Sequence, residues 1–142
     1  MYRAEHIPLP AEEGFTALAW CMPDMLLQWG GRIREVAIDS AWETNGSRFE
    51  LYAPIGEAYG SRLPLGFILL ASNGGASGGT QHHLTPFLKH FETNYGIEPV
   101  VGLSDKYFPE INSMQVSLSG RKHQLCFWHG VTALKKRLTF LR

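Results

Sequence analysis

The chain has 142 residues, 44% hydrophobic and 12% aromatic, which is one domain's length with enough apolar mass for a core. That composition excludes a collagen-like repeat and a disordered tail. The longest apolar stretch, Leu63–Ala71, is broken by Pro64 and Gly66 and falls far short of the about 20 residues a spanning helix needs. Lys+Arg and Asp+Glu are 13 each, but six of the basic residues lie from Arg121 onward, where there is no acid. The first 120 residues therefore carry 7 basic and 13 acidic side chains, net −6, and lack the basic surface of a stand-alone nucleic-acid binder.

In chain order, residues 1–30 read as an N-terminal lead-in with an apolar helical segment over Phe15–Trp29, started or interrupted by Pro23. Residues 31–142 read as the core. Arg34–Asp39 is a short apolar strand ending in a carboxylate, and Asn45-Gly46-Ser47 is a turn before a second strand, Arg48–Ile55. Leu63–Ala71 is the third, making an antiparallel meander. A Gly-rich loop, Asn73–Gly79, leads through Thr80 as N-cap to a helix on which Leu84, Phe87, Leu88, Phe91 and Tyr95 share one face, stopped at Gly96. Pro99–Asp105 is a buried-type strand, again ending in a carboxylate. Phe108–Leu118 is a helix, Lys122–Trp128 a strand and Val131–Arg142 a last helix. A meander followed by βαβ units gives an α/β domain with a mixed sheet, and a right-handed crossover sets the fourth strand beside the first. Asp39 and Asp105 are then expected on neighbouring strands. No N-terminal secretory signal is visible, and Cys21 and Cys126 form no disulfide framework, so a reducing compartment is expected.

Two carboxylates a few ångströms apart repel unless a cation lies between them, and hard oxygen ligands suit Mg²⁺ or Mn²⁺. Three segments extend this. Ile38-Asp39-Ser40-Ala41-Trp42-Glu43-Thr44-Asn45 resembles the first catalytic strand of the MULE (Mutator-like element) transposase domain. Leu103-Ser104-Asp105-Lys106-Tyr107-Phe108-Pro109-Glu110-Ile111 resembles its second block, and Cys126-Phe127-Trp128-His129 its Cys-x-Trp-His block. The resemblance covers about Trp29 to Arg142. It implies an RNase H-like mixed sheet and a DDE-type enzyme that cuts and joins DNA. Asp39 and Asp105 would be its catalytic, metal-holding residues, with Mg²⁺ or Mn²⁺ as cofactor, DNA as partner and a nuclear, intracellular location.

The sequence departs from that pattern in one respect. The family's Glu follows the Cys-x-Trp-His block, whereas no acid follows Glu110 here. The expectation is a C-terminally truncated, N-terminal fragment of the core, inactive alone. The alternative is a non-catalytic RNase H-like module for DNA docking or interaction. Cys126 and His129 have zinc-type spacing, but zinc needs a second ligand pair, so the motif reads as a buried strand thiol and a helix-start histidine ahead of a zinc site. His82-His83 reads as a solvated cap region and Lys135-Lys136-Arg137 as a solvated face. Val131, Leu134, Leu138 and Leu141 fall on one helix face and are expected to leave it partly uncovered, open to self-association.

Overall fold

The computed structural model describes residues 3–41, 48–74, 78–117 and 122–140. Trp42-Glu43-Thr44-Asn45, the turn at Asn45-Gly46-Ser47 and the chain end at Leu141 and Arg142 lie outside them. Among the described residues there are eight strands and four helices in one mixed α/β sheet structure. In chain order they are β1 (Glu5–Ile7), β2 (Phe15–Cys21), α1 (Pro23–Trp29), β3 (Glu35–Ala41), β4 (Glu50–Ala58), β5 (Ser61–Pro64) and β6 (Gly66–Ser72). There follow α2 (Gly79–Tyr95), β7 (Val101–Ser104), α3 (Phe108–Ser117), β8 (Lys122–Leu125) and α4 (Phe127–Phe140). The sheet runs β1-β2-β6-β4-β3-β7-β8, with β5 paired to β4. The β3–β7 and β7–β8 pairs are parallel and the rest antiparallel.

The first correction falls on residues 1–30. Phe15–Cys21 is a strand, not the start of a helix, and it pairs with β6 along its full length. Ala17, Ala19 and Cys21 alternate with Thr16, Leu18 and Trp20, so a period of two prevails over the apolar density that mimics a helix. The helix begins only at Pro23, whose ring suits a first turn because the missing N–H has no partner there anyway.

The meander forms as expected, with a break in its third strand. Pro64 has no N–H to give, and the chain bends there into β5 and β6. Leu65 N–H donates to the Pro54 carbonyl at 2.8 Å across the bend. Tyr59 and Gly60, with φ of 52° and 78°, make the tight β4–β5 hairpin. The crossover helix α2 starts five residues before its first apolar position. It ends at Gly96, whose left-handed conformation lets its N–H reach the Glu92 carbonyl at 3.0 Å. Thr80 lies inside the helix; the N-cap is Gly78.

One sheet face is covered. Ala19, Cys21, Tyr52, Ile68, Leu70, Val36 and Ile38 pack with Leu84, Phe87, Leu88 and Phe91 of α2 and Met114 of α3 in one buried cluster. Helix and sheet approach closely because glycines stand on this face. A Cβ on Gly66 would lie 2.7 Å from the Trp20 carbonyl oxygen, and one on Gly102 2.7 Å from Met114 Cε. The other face carries Leu18 and Trp20 of β2, Phe67 and Leu69 of β6, Leu51, Ala53 and Ile55 of β4, Ala37 of β3 and Leu103 of β7; none of these is buried.

Candidate functional site

The parallel register pairs Glu35 with Val101, Val36 with Gly102 and Ala37 with Leu103. The pairing ends there: Asp39 lies two residues further along β3, and Asp105 directly follows Ser104, the last residue of β7. Both aspartates lie close enough to Glu110 to push its carboxyl up. The expected parallel pairing of the two strands is present. Asp39 is exposed, and its Oδ1 accepts the Ser40 N–H at 2.9 Å. Asp105 is half-buried, and its Oδ1 accepts the Lys106 N–H at 2.7 Å.

Two further acids converge here that the sequence reading did not assign. Glu110, in the first turn of α3, is only 1% exposed, and its Oε2 accepts the Asp105 backbone N–H at 3.3 Å. An acid at a helix start is favoured by the helix dipole and serves to tie the loop to the helix. Burial pushes its carboxyl up to about 7. Repulsion from Asp39, Asp105 and Glu50 adds to the rise, against the opposing effect of the Asp105 N–H. Glu50, at the start of β4, is also raised, first by burial, although the Tyr52 hydroxyl donates to its Oε2 at 3.1 Å. Glu50 Oε1 is buried without a hydrogen-bond partner among the described residues. The signal for Glu110 was its place at the third position of a helix opened by a strand-end Asp. For Glu50 there was none, because only the fold brings β4 beside that corner.

Behind Asp105, buried Ser104 links the two parallel strands. Its Oγ donates to the Asp105 carbonyl at 2.9 Å and lies 2.9 Å from His123 Nε2 on β8. With the hydroxyl hydrogen so engaged, His123 is the donor through Nε2, a neutral tautomer that fits the downward push of burial on its pKa. Cys126 follows β8, half-buried as a free thiol, and its N–H donates to the Ser104 carbonyl at 2.8 Å. The side chain of His129, its sequence partner, lies outside the described residues. Among the described residues no group of three or more His, Cys, Asp or Glu is set to hold a metal. The Asp pair supplies two carboxylates, the number Mg²⁺ commonly takes when substrate phosphate and water complete its shell.

A second polar cluster corrects the reading of His82-His83 as a solvated cap. His83 is buried, with Nδ1 2.7 Å from the Gly79 carbonyl. Glu12 Oε2 lies 3.9 Å from His83 Nδ1 and 4.0 Å from His82 Nε2, beside a cavity of about 350 Å³. Helix α2 begins earlier than its apolar stripe, and this turns His83 inward, one turn below Phe87. No protein-family model matches the chain, and no curated protein is significantly similar to it.

Proposed function

We propose that the chain carries catalytic-core residues of a DDE-type transposase of the MULE (Mutator-like element) family. In this reading it has an RNase H-like fold and acts on DNA with Mg²⁺ or Mn²⁺ held by Asp39 and Asp105. The observation that carries the reading is that Asp39 lies on β3 and Asp105 directly follows β7, its parallel neighbour. The order β6-β4-β3-β7-β8 supports it: an antiparallel meander with two parallel strands added beside its first strand is the sheet of an RNase H-like core.

The two aspartate carboxylates are hard oxygen donors of the kind Mg²⁺ or Mn²⁺ takes when phosphate and water complete its shell. When bound, such a cation activates water and stabilises the leaving oxygen of a phosphodiester. The chain's own residues do the positioning. Backbone N–H groups of Ser40 and Lys106 orient the Asp39 and Asp105 carboxylates. Glu110 fixes the loop after β7 through the Asp105 N–H and retains a proton up to about pH 7. Exposed Lys106 supplies a positive charge beside the pair for a DNA phosphate.

The test is Mn²⁺ titration followed by electron paramagnetic resonance, with a DNA-nicking assay alongside. The wild-type chain is expected to bind Mn²⁺, and Asp39→Asn and Asp105→Asn to weaken binding at least about tenfold each. Because no acid follows Glu110 in the sequence, nicking by the chain alone is not expected. A wild-type chain that binds no Mn²⁺ would refute the reading. Binding of DNA without metal would instead support a non-catalytic RNase H-like docking module, which the lack of a three-ligand group among the described residues favours.

A further inference from the structure

The Asp105 backbone stands outside the ladder that holds Asp39. Asp39 lies within β3 and pairs with Ala53 of β4, whereas β7 stops at Ser104, one residue short of Asp105. A residue just past a strand has no ladder to fix its φ and ψ. Its side chain is aimed only as well as the peptide planes on either side of it are held. In this chain both planes are held. In the Ser104–Asp105 peptide, the carbonyl accepts the Cys126 N–H at 2.8 Å and the N–H donates to Glu110 Oε2 at 3.3 Å. In the Asp105–Lys106 peptide, the carbonyl accepts the Ser104 hydroxyl at 2.9 Å and the N–H donates to Asp105 Oδ1 at 2.7 Å.

The Ser104 hydroxyl depends in turn on a histidine. Ser104 is only 1% exposed, and a buried hydroxyl needs its partners inside the protein. β7 and β8 run parallel with Gly102 opposite His123, which puts His123 on the same face as Ser104, two residues back. Gly102 has no side chain beside the imidazole, and His123 Nε2 lies 2.9 Å from Ser104 Oγ. Because the hydroxyl hydrogen goes to the Asp105 carbonyl, Nε2 supplies the hydrogen of this second bond. A hydroxyl that accepts one bond and donates another is fixed in direction, and each bond strengthens the next.

We propose that His123 is a positioning residue for Asp105. Its Nε2–H holds the Ser104 hydroxyl, the hydroxyl holds the Asp105–Lys106 peptide, and the N–H of that peptide aims the Asp105 carboxylate. The proposal rests on the reading of Asp39 and Asp105 as a cation-holding pair and adds two residues, Ser104 and His123, that act only through Asp105. Groups placed behind a metal ligand in this way change metal affinity by about 10–100-fold when they are removed. A mere staple between β7 and β8 would depend on packing and not on the hydrogen at Nε2, and this separates the two roles.

The test is Mn²⁺ titration of the full 142-residue chain followed by electron paramagnetic resonance, with Lys106 amide hydrogen exchange measured by NMR in metal-free buffer. His123→Phe keeps a ring and loses the donor. His123→Gln keeps an N–H at the Nε2 position. Ser104→Ala removes the hydroxyl with little change in volume, so it is expected to fold. His123→Phe and Ser104→Ala should each weaken Mn²⁺ binding by about tenfold and speed Lys106 exchange, whereas His123→Gln should stay within about threefold of the wild type on both. A wild type that binds no Mn²⁺ would refute the reading of the aspartate pair, and this proposal with it. A wild type that binds, with His123→Phe and Ser104→Ala binding equally well, would overturn the positioning role alone. So would a His123→Gln variant weakened as much as His123→Phe, or a loss of affinity with Lys106 exchange unchanged.

Discussion

Replacing Glu110 by Gln should stabilise the protein, and only at neutral and higher pH. Glu110 is buried, and its carboxyl is raised from the ordinary 4.5 to about 7 by burial and by Asp39, Asp105 and Glu50. A raised acid binds its proton more tightly in the folded state. Its contribution to stability is therefore fully present below about pH 4.5 and is lost as pH rises through about 7. The displacement corresponds to about 3 kcal/mol at pH 8, because each pKa unit is about 1.4 kcal/mol. Glutamine keeps an oxygen for the Asp105 N–H and carries no charge, so it escapes the loss. Urea unfolding followed by tryptophan fluorescence should show variant and wild type within about 0.5 kcal/mol at pH 4. At pH 8 the variant should be ahead by about 1–3 kcal/mol. An equal difference at both pH values, or a variant weaker at pH 8 than at pH 4 relative to wild type, would refute the account of Glu110 as a buried, crowded acid.

If Asp39 and Asp105 hold a divalent cation, Mg²⁺ at a hundred times its dissociation constant should raise stability by about 2.7 kcal/mol, read from the shift in the urea midpoint. Asp39→Asn should erase that shift. Gly66→Ala should cost about 1–3 kcal/mol in the same assay, since its Cβ would meet a backbone carbonyl oxygen at 2.7 Å and the Phe91 ring at 2.8 Å. A neutral outcome would mean that β6 and α2 can separate without loss.

What the sequence made legible was the part governed by local pattern. The α2 stripe, the strand-end aspartates and the meander all rest on periodicity and turn residues within a few positions, and each appears close to where the pattern puts it. What it concealed depends on distant pairing. Phe15–Cys21 is apolar enough for a helix; only β6, lying alongside it, makes its period of two decisive. Pro64 inside an apolar run signals a break, but the carbonyl of Pro54 that accepts the Leu65 N–H comes from another strand. In the site, Asp39 and Asp105 are readable because each follows a short apolar run that forms a strand, although β3 continues past Asp39 to Ala41 and β7 stops at Ser104. Glu50 is not, because only the fold brings β4 near enough to α3 for its charge to act on Glu110. His83 falls four residues before Phe87 on the buried helix face, so the stripe extends one turn further towards the helix start than its apolar residues mark.

The corner where β3, β4, β7 and α3 converge gathers acids that would push it apart, so something else must hold it. The covered sheet face does: Gly102 lets Met114 of α3 close onto β7, and Ser104 and His123 tie β7 to β8 beneath the site. With that framework fixed, the acids cannot relieve their repulsion by moving, and the least solvated of them relieves it by keeping a proton. A proton on Glu110 and a cation between Asp39 and Asp105 then answer the same electrostatic need. On the proposed reading they compete: metal binding should favour the ionised form of Glu110, and the proton should weaken the metal. The rise of the Glu110 carboxyl and the affinity of the aspartate pair are thus two measures of one field, set by the register of two parallel strands.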